Sequence, residues 1–172
     1  MLQKILGCVV IVMCAAKIGF DEAARFTRRV REIREFQTAL VALKGEIGFC
    51  KTPLPQALAK VGQNLKTSIR HIFIKAGGAM KEGGRYADEV WETTVSTVKK
   101  DLSLKSEEIY ILNTFGKLLG TSDVVGQIEN IELTSSKLDI CERQALDDEI
   151  KFARLYRSLG VIGGIFTAIL FL

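Results

Sequence analysis

The sequence predicts an all-α protein: a six-helix antiparallel bundle flanked by N- and C-terminal transmembrane helices. Three observations predict it. Charge and apolarity are segregated along the 172 residues, with apolar runs at both ends and nearly all the charge between them. Between glycine and proline breaks, apolar residues recur every three or four positions, the spacing of one helix face. Strict alternation over a strand length occurs nowhere. The length fits one domain plus anchors. The expected organisation is a first transmembrane helix over 1–20, a helical bundle over 21–157 and a second transmembrane helix over 158–172.

The first run, Leu2 to Phe20, is interrupted only by Gln3, Lys4 and Lys17. It comes close to the ~20 residues that a spanning helix needs. A cleaved signal peptide is the rival reading, but "CAAK" lacks a convincing cleavage pattern. "ILGC" resembles a lipobox, yet Cys8 has no apolar region before it. An uncleaved anchor is the preferred reading.

Within the middle, Ile33, Phe36, Leu40, Leu43 and Ile47 form the first apolar stripe. Leu54, Ala57, Leu58 and Val61 form the second, and Ile69, Ile72, Phe73, Ala76 and Met80 the third. Val90, Trp91, Val95 and Val98 come next, then Ile109, Leu112, Phe115 and Leu119. A last segment from about Ser122 to Arg157 offers Ile128, Ile131, Leu138, Cys141, Ala145 and Phe152. The breaks are Pro53 and Pro55, Gly77-Gly78, Gly83-Gly84 and the stretch Gly116 to Gly120. Each helix has one stripe to bury, and a bundle buries all six. The first and last helices are expected to run on into the apolar ends.

The final run, Ser158 to Leu172, reaches only about 22 Å at ~1.5 Å per residue, short of a ~30 Å hydrocarbon core. Leu155 and Tyr156 lengthen it to a tight span. Gly160, Gly164 and Ala168 recur every four residues. This is either a stripe that admits a second helix closely or the ordinary glycine content of membrane helices. Flanking cations set the orientation. Arg25, Arg28, Arg29, Arg31 and Arg34 follow the first run, whereas only Lys4 stands near its start. Lys151, Arg154 and Arg157 precede the second run and no cation follows it. Both signals place the middle of the chain in the cytoplasm.

A net charge of +4 with 8% aromatics and no stacking motif argues against nucleic acid. Cys8, Cys14, Cys50 and Cys141 have no metal-site spacing and read as small apolar or reduced thiols. His71 is the only histidine, too few for a triad or a multi-histidine metal site, and reads as a surface or boundary residue. Glu107-Glu108 and Asp147-Asp148 are adjacent pairs that do not face each other on a helix, and read as solvated faces. "FGKLLG" is not a phosphate loop, because Leu118 follows Lys117 and Ile111 stands where the first glycine belongs. No cofactor is expected and the chain reads as non-enzymatic.

Two stretches say more than helix. In "EIGFCKTPLPQAL", Thr52 suits an N-cap and Pro53 the first helical position. In "FGKLLGTSDVVGQIENIEL", Gly120 can end one helix and Ser122 or Asp123 can cap the next. Asp123, Gln127 and Ile131 then share a face. With the two apolar ends, these stretches resemble the stage III sporulation protein AB family. Glu46, Ile47, Thr52, Pro53, Leu54, Ala57 and Leu58 carry the resemblance in the first stretch. Phe115, Gly116, Leu119, Gly120, Asp123, Gln127, Ile131 and Leu133 carry it in the second, with Trp91 between. Phe49 departs from an expected tyrosine, and Pro55 adds a second proline within the first helical turn.

The resemblance implies a role in the channel assembled between mother cell and forespore. It also implies a domain like that of the inner-membrane platform proteins of type II secretion and type IV pilus systems. By that analogy the chain docks a cytoplasmic secretion-type ATPase, stage III sporulation protein AA, beside other stage III sporulation membrane proteins. Asp123 and Gln127 would then mark an exposed contact face, against the alternative of capping by Asp123 and surface packing by Gln127. The arginines from Arg25 to Arg34 would set topology first, meet anionic headgroups second and a partner third. The competing function is a membrane scaffold that forms homo-oligomers through Gly160, Gly164 and Ala168, without an ATPase.

Overall fold

A computed structural model describes the backbone of residues 2–120 and 122–170. Met1, Thr121, Phe171, Leu172 and the side chains of residues 2–6, Cys8, Ala168 and Leu170 lie outside the described residues. Every regular element among the described residues is helical. These are α1 (Leu2–Gly48), α2 (Leu54–Gln63), α3 (Ile69–Glu82), α4 (Ala87–Val98), α5 (Ser106–Lys117), α6 (Val124–Asp148) and α7 (Arg154–Leu170). A 3-10 turn follows α4 over Lys99–Asp101, and a π-helical turn over Glu149–Ala153 joins α6 to α7 without interruption. The terminal helices do run on into the apolar ends. The chain divides into two compact units, one of residues 31–143 and one of residues 1–30 with 144–172.

The unit of residues 31–143 is a bundle of six helical segments, from the end of α1 to most of α6. Its centre is aromatic. Phe36 lies 5.5 Å from Phe73, 6.3 Å from Trp91 and 6.0 Å from Phe115, centroid to centroid. Trp91 stands edge-on to Phe73 and to Phe115, an arrangement that the ring quadrupoles favour. The indole N–H donates to the carbonyl of Leu112 at 2.8 Å, so the buried nitrogen is satisfied. Four of the five stripes before α6 contribute one ring each to this cluster.

One expected break is not a break: Gly77-Gly78 lies inside α3. The break over Gly116 to Gly120 is real but falls at its Gly120 end, with Gly116 itself inside α5. A Cβ on Gly77 would stand 2.7 Å from the Pro55 carbonyl oxygen and 2.8 Å from the Ala59 nitrogen, so its absence lets α2 and α3 touch backbone to backbone. A Cβ on Gly116 would collide with the Trp91 ring. A glycine at a contact and a glycine at a turn look alike in a sequence. The true turns are at Gly83, Gly84 and Gly120, where φ is +78°, +85° and +74°.

Carboxylates of α1 hold two loops of the same unit. Glu35 accepts the backbone N–H groups of Lys66 and Thr67, ahead of α3. Glu32, buried, accepts the N–H of Ser103 at 2.7 Å, ahead of α5. Glu108 does not lie in solvent, as its pairing with Glu107 suggested. It is 0% exposed and accepts the Lys105 N–H at 2.5 Å as the N3 residue of α5. Its charge meets the positive end of that helix, which compensates part of the desolvation.

The other unit is a two-helix hairpin. The N-terminal part of α1 packs against α7 in antiparallel register. Phe26 stacks on Phe152 and Tyr156 at 5.8 Å each. A Cβ on Gly160 would stand 2.9 Å from the Gly19 Cα, and one on Gly164 would stand 3.1 Å from the Cα of Val12 and the Cβ of Ala15. Near the π-helical turn, Arg29 pairs with Asp148 at 2.7 Å and Thr27 donates to Glu149 at 2.7 Å. Asp148 is therefore a structural ion-pair partner rather than part of a solvated face.

The expectation of two spanning helices is not carried by the described residues, among which no helix is long and apolar enough to cross a membrane. The 17 residues of α7 amount to about 25 Å, and Arg154 and Arg157 occupy its first turn. What the hairpin does have is exposed apolar surface. Val9, Met13, Ile18 and Phe20 of α1 and Leu159, Ile162, Ile165, Phe166 and Ile169 of α7 are all exposed.

Candidate functional site

The two stretches singled out in the sequence meet at one cleft of the bundle unit, of about 370 Å³. Ile47, Thr52, Pro53 and Leu54 line one side; Gly120, Asp123, Val124 and Gln127 line the other. The two walls are helix junctions, α1 to α2 and α5 to α6.

The first junction is built around Glu46. Its carboxylate accepts the Thr52 hydroxyl at 2.9 Å and pairs with the Lys60 ammonium at 2.6 Å. Its carbonyl accepts the Thr52 N–H at 2.9 Å. The Lys60 hydrogen bond, and after it that of Thr52, holds the Glu46 carboxyl below the usual carboxylate range. The same contact holds the Lys60 ammonium above its ordinary value. Thr52 therefore does not cap α2, as expected of it. Pro53 is the N-cap residue, Pro55 lies in the first turn, and neither proline costs a helical N–H. Lys51 takes a left-handed conformation, φ +50°, to make the tight reversal.

The second junction turns at Gly120, and Asp123 then caps α6 by accepting the Gly126 N–H at 2.9 Å. Gln127 sits one turn further on. It is only 6% exposed, so it is not the surface residue that its polarity suggested. Its Nε2 donates to the Leu118 carbonyl at 3.3 Å, and Asn130 donates likewise to the Phe115 carbonyl at 3.1 Å. These two amides tie α6 to the end of α5, where the Phe115 carbonyl also accepts the Leu118 N–H at 3.3 Å. The Gln127 Oε1 has no hydrogen-bond partner among the described residues. Asp123 is exposed at the rim, and Phe49, 89% exposed, projects from the α1–α2 turn.

The arginine cluster divides. Arg28 and Arg31 are exposed. Arg25 pairs with Glu22 one turn away, and Arg34 with Glu142 at 2.6 Å. Arg29 is 4% exposed and so is not available to headgroups; it is bound to Asp148. Gly160 and Gly164 face Val12, Ala15 and Gly19 of the same chain, while the Ala168 side chain lies outside the described residues. His71 is exposed, as expected. Cys141 is buried, Cys14 and Cys50 are exposed, and the Cys8 side chain lies outside the described residues.

Asp123 and Gln127, singled out in the sequence, line the cleft, as does Lys51, which was not singled out; nor were the loop-holding Glu35 and Glu32. Only the positive φ of Lys51 marks it, and the two glutamates are recognisable only by the loops folded onto them.

An all-helical bundle with a cleft at two helix junctions, and a separate pair of helices with exposed apolar residues, define the class of protein. The chain belongs to the stage III sporulation protein AB family: the model of that family matches residues 4–172. It is 32% identical over 167 residues to stage III sporulation protein AB of Bacillus subtilis (strain 168), covering 97% of this chain and 98% of that relative. A solved structure of a stage III sporulation protein AB is similar at a TM-score of 0.67 and 30% identity, over 72% of this chain and 98% of that one. The role of the chain therefore lies in sporulation.

Proposed function

We propose that the chain is a non-enzymatic inner-membrane platform of the channel between mother cell and forespore. The hairpin seats in the mother-cell membrane, and the bundle faces the cytoplasm and docks a secretion-type ATPase, stage III sporulation protein AA. The carrying observation is the apolar surface left bare on both hairpin helices. Apolar side chains exposed along both helices fit lipid or protein better than water. The π-helical turn and the exposed Arg28, Lys151, Arg154 and Arg157 stand at the base of the hairpin, where anionic headgroups would meet them. Gly19, Gly160 and Gly164 lie at the contact between the two helices, whereas Leu159, Ile162, Ile165, Phe166 and Ile169 are exposed.

The scaffold reading drew on Gly160, Gly164 and Ala168 as a surface for a second copy, the Ala168 side chain lying outside the described residues. Those two glycines are already covered by α1 of the same chain.

Vesicle flotation with the full chain tests the reading. The chain should float with anionic vesicles, and the ATPase should float only when the chain is present, with altered ATP turnover. A chain that stays at the bottom of the gradient overturns the membrane part. An ATPase that stays behind while the chain floats overturns the docking part.

A further inference from the structure

Within the bundle unit, α6 carries a second helical row that the bundle does not use. Ile131, Thr134, Leu138 and Cys141 are buried in the core. On the flank towards α1, Glu132, Asp139 and Glu142 are engaged by Lys44, Gln37 and Arg34. The row left over is Glu129, Leu133, Ser136, Ile140 and Arg143, spaced four, three, four and three residues apart. That is the spacing of a coiled-coil seam, which keeps one stripe turned towards a partner helix. All five residues are exposed, Leu133 at 55% and Ile140 at 60%. Glu129 and Arg143 make no ion pair among the described residues, in contrast to Glu132 and Glu142 beside them.

We infer that this face of α6 receives the same face of a second copy of the chain, antiparallel, about a two-fold axis at Ser136. The order of chemistry along the seam selects that occupant. It runs acid, apolar, serine, apolar, base, so that a reversed copy sets Glu129 against the partner's Arg143 and Leu133 against the partner's Ile140, each contact made twice. A two-fold interface requires such a patch, in which each residue meets its complement and is met by it in turn. A parallel copy would set Glu129 against itself and Arg143 against itself, and like charges in contact disfavour that arrangement. A face for an unrelated protein has no need of this internal symmetry. Lys137 is exposed on the flank of the seam, one residue from the axis. Two copies bring their Lys137 ammonium groups near one another, which opposes pairing and gives the register a test of its own. Two apolar layers make a weak contact in dilute solution, and confinement of both copies to one membrane raises their effective concentration. The inference is independent of the ATPase and uses the bundle rather than the hairpin glycines.

The experiment uses the full chain in lipid vesicles with Cys8, Cys14 and Cys50 replaced by serine, which leaves the buried Cys141 as the native thiol. Flotation shows separately that each variant is seated on the vesicles, and circular dichroism that its helices are intact. Under mild oxidation, Ser136→Cys should form a covalent dimer several-fold faster than Ser96→Cys, which places a thiol on the exposed side of α4. Added to Ser136→Cys, either Glu129→Arg or Arg143→Glu should slow the cross-link roughly tenfold, since each creates two like-charge contacts. The two reversals together should restore it, a rescue that a merely structural role would not produce. Leu133→Asp should slow it as well, and Lys137→Gln should speed it. Cross-linking of Ser136→Cys no faster than that of Ser96→Cys overturns the inference, as does a double reversal that fails to restore the rate. Loss of ATPase docking in Leu133→Asp, with no Ser136→Cys dimer, overturns it in favour of a different protein on this face.

Discussion

Trp91 and Gly116 are in direct contact: the indole lies over the bare Cα of the glycine, and a Cβ there would stand 2.8 Å from the indole nitrogen and closer still to the ring carbons. That nitrogen donates to the Leu112 carbonyl, one turn before Gly116 on the same helix. The glycine thus sets the position of the largest ring in the core.

Gly116→Ala is expected to destabilise the bundle by about 3 kcal/mol, because the ring, held among Phe36, Phe73 and Phe115, has no room to withdraw. Denaturant unfolding followed by Trp91 fluorescence reads this. A midpoint within experimental error of the parent would refute the contact.

Gly77 and Gly78 are neighbours in α3 that should respond with opposite sign. Gly77 abuts the backbone of α2, whereas nothing lies within 4 Å of a Cβ built on Gly78. Gly78→Ala should stabilise by roughly 0.5–1 kcal/mol through helix propensity. Gly77→Ala should destabilise by about 2 kcal/mol through overpacking. Thermal melts of the two variants, compared side by side, decide the matter.

The Glu46 cluster predicts a pH dependence. Lys60, and then Thr52, lower the carboxyl pKa in the folded state. Its contribution is therefore present above the unfolded carboxylate pKa and lost as pH falls through the lowered folded value. Lys60 is raised, so its contribution holds below the ordinary lysine pKa and is lost as pH rises through the raised value. An NMR titration should place the Glu46 midpoint below that of an unpaired glutamate. Lys60→Met should move that midpoint upward, and an unmoved midpoint would exclude Lys60 as the main cause.

In the hairpin, Asp148→Ala should cost about 3 kcal/mol, because it strips a partner from the buried Arg29 guanidinium. Hydrogen exchange of residues 24–30 and 145–153 should accelerate, while amides of α3 and α4 stay protected. Uniform protection throughout would mean that the pair carries little energy.

Hydropathy periodicity sufficed for the helices because a stripe every three or four residues is a local property, and Phe36, Phe73, Trp91 and Phe115 all fell on their predicted stripes. The cleft was legible in part: Asp123 and Gln127 stood out as polar residues at helical spacing. Sequence could not say that one is exposed and the other buried, since burial depends on what the α1–α2 turn brings alongside. The same limit applied to Glu108, a charge whose helix end and neighbours take it out of solvent.

What the sequence by itself determined is the helical class, the order of the stripes, the apolar ends and the family resemblance, all carried by residue type and spacing along one chain. What only the tertiary structure decided is the use of each small or charged residue. Gly116 makes room for Trp91, Gly160 and Gly164 admit α1, and Arg29 finds Asp148. Glu35 and Glu32 tie down distant loops. These are pairings between segments far apart in the chain, and the energy of a contact belongs to the pair rather than to either residue.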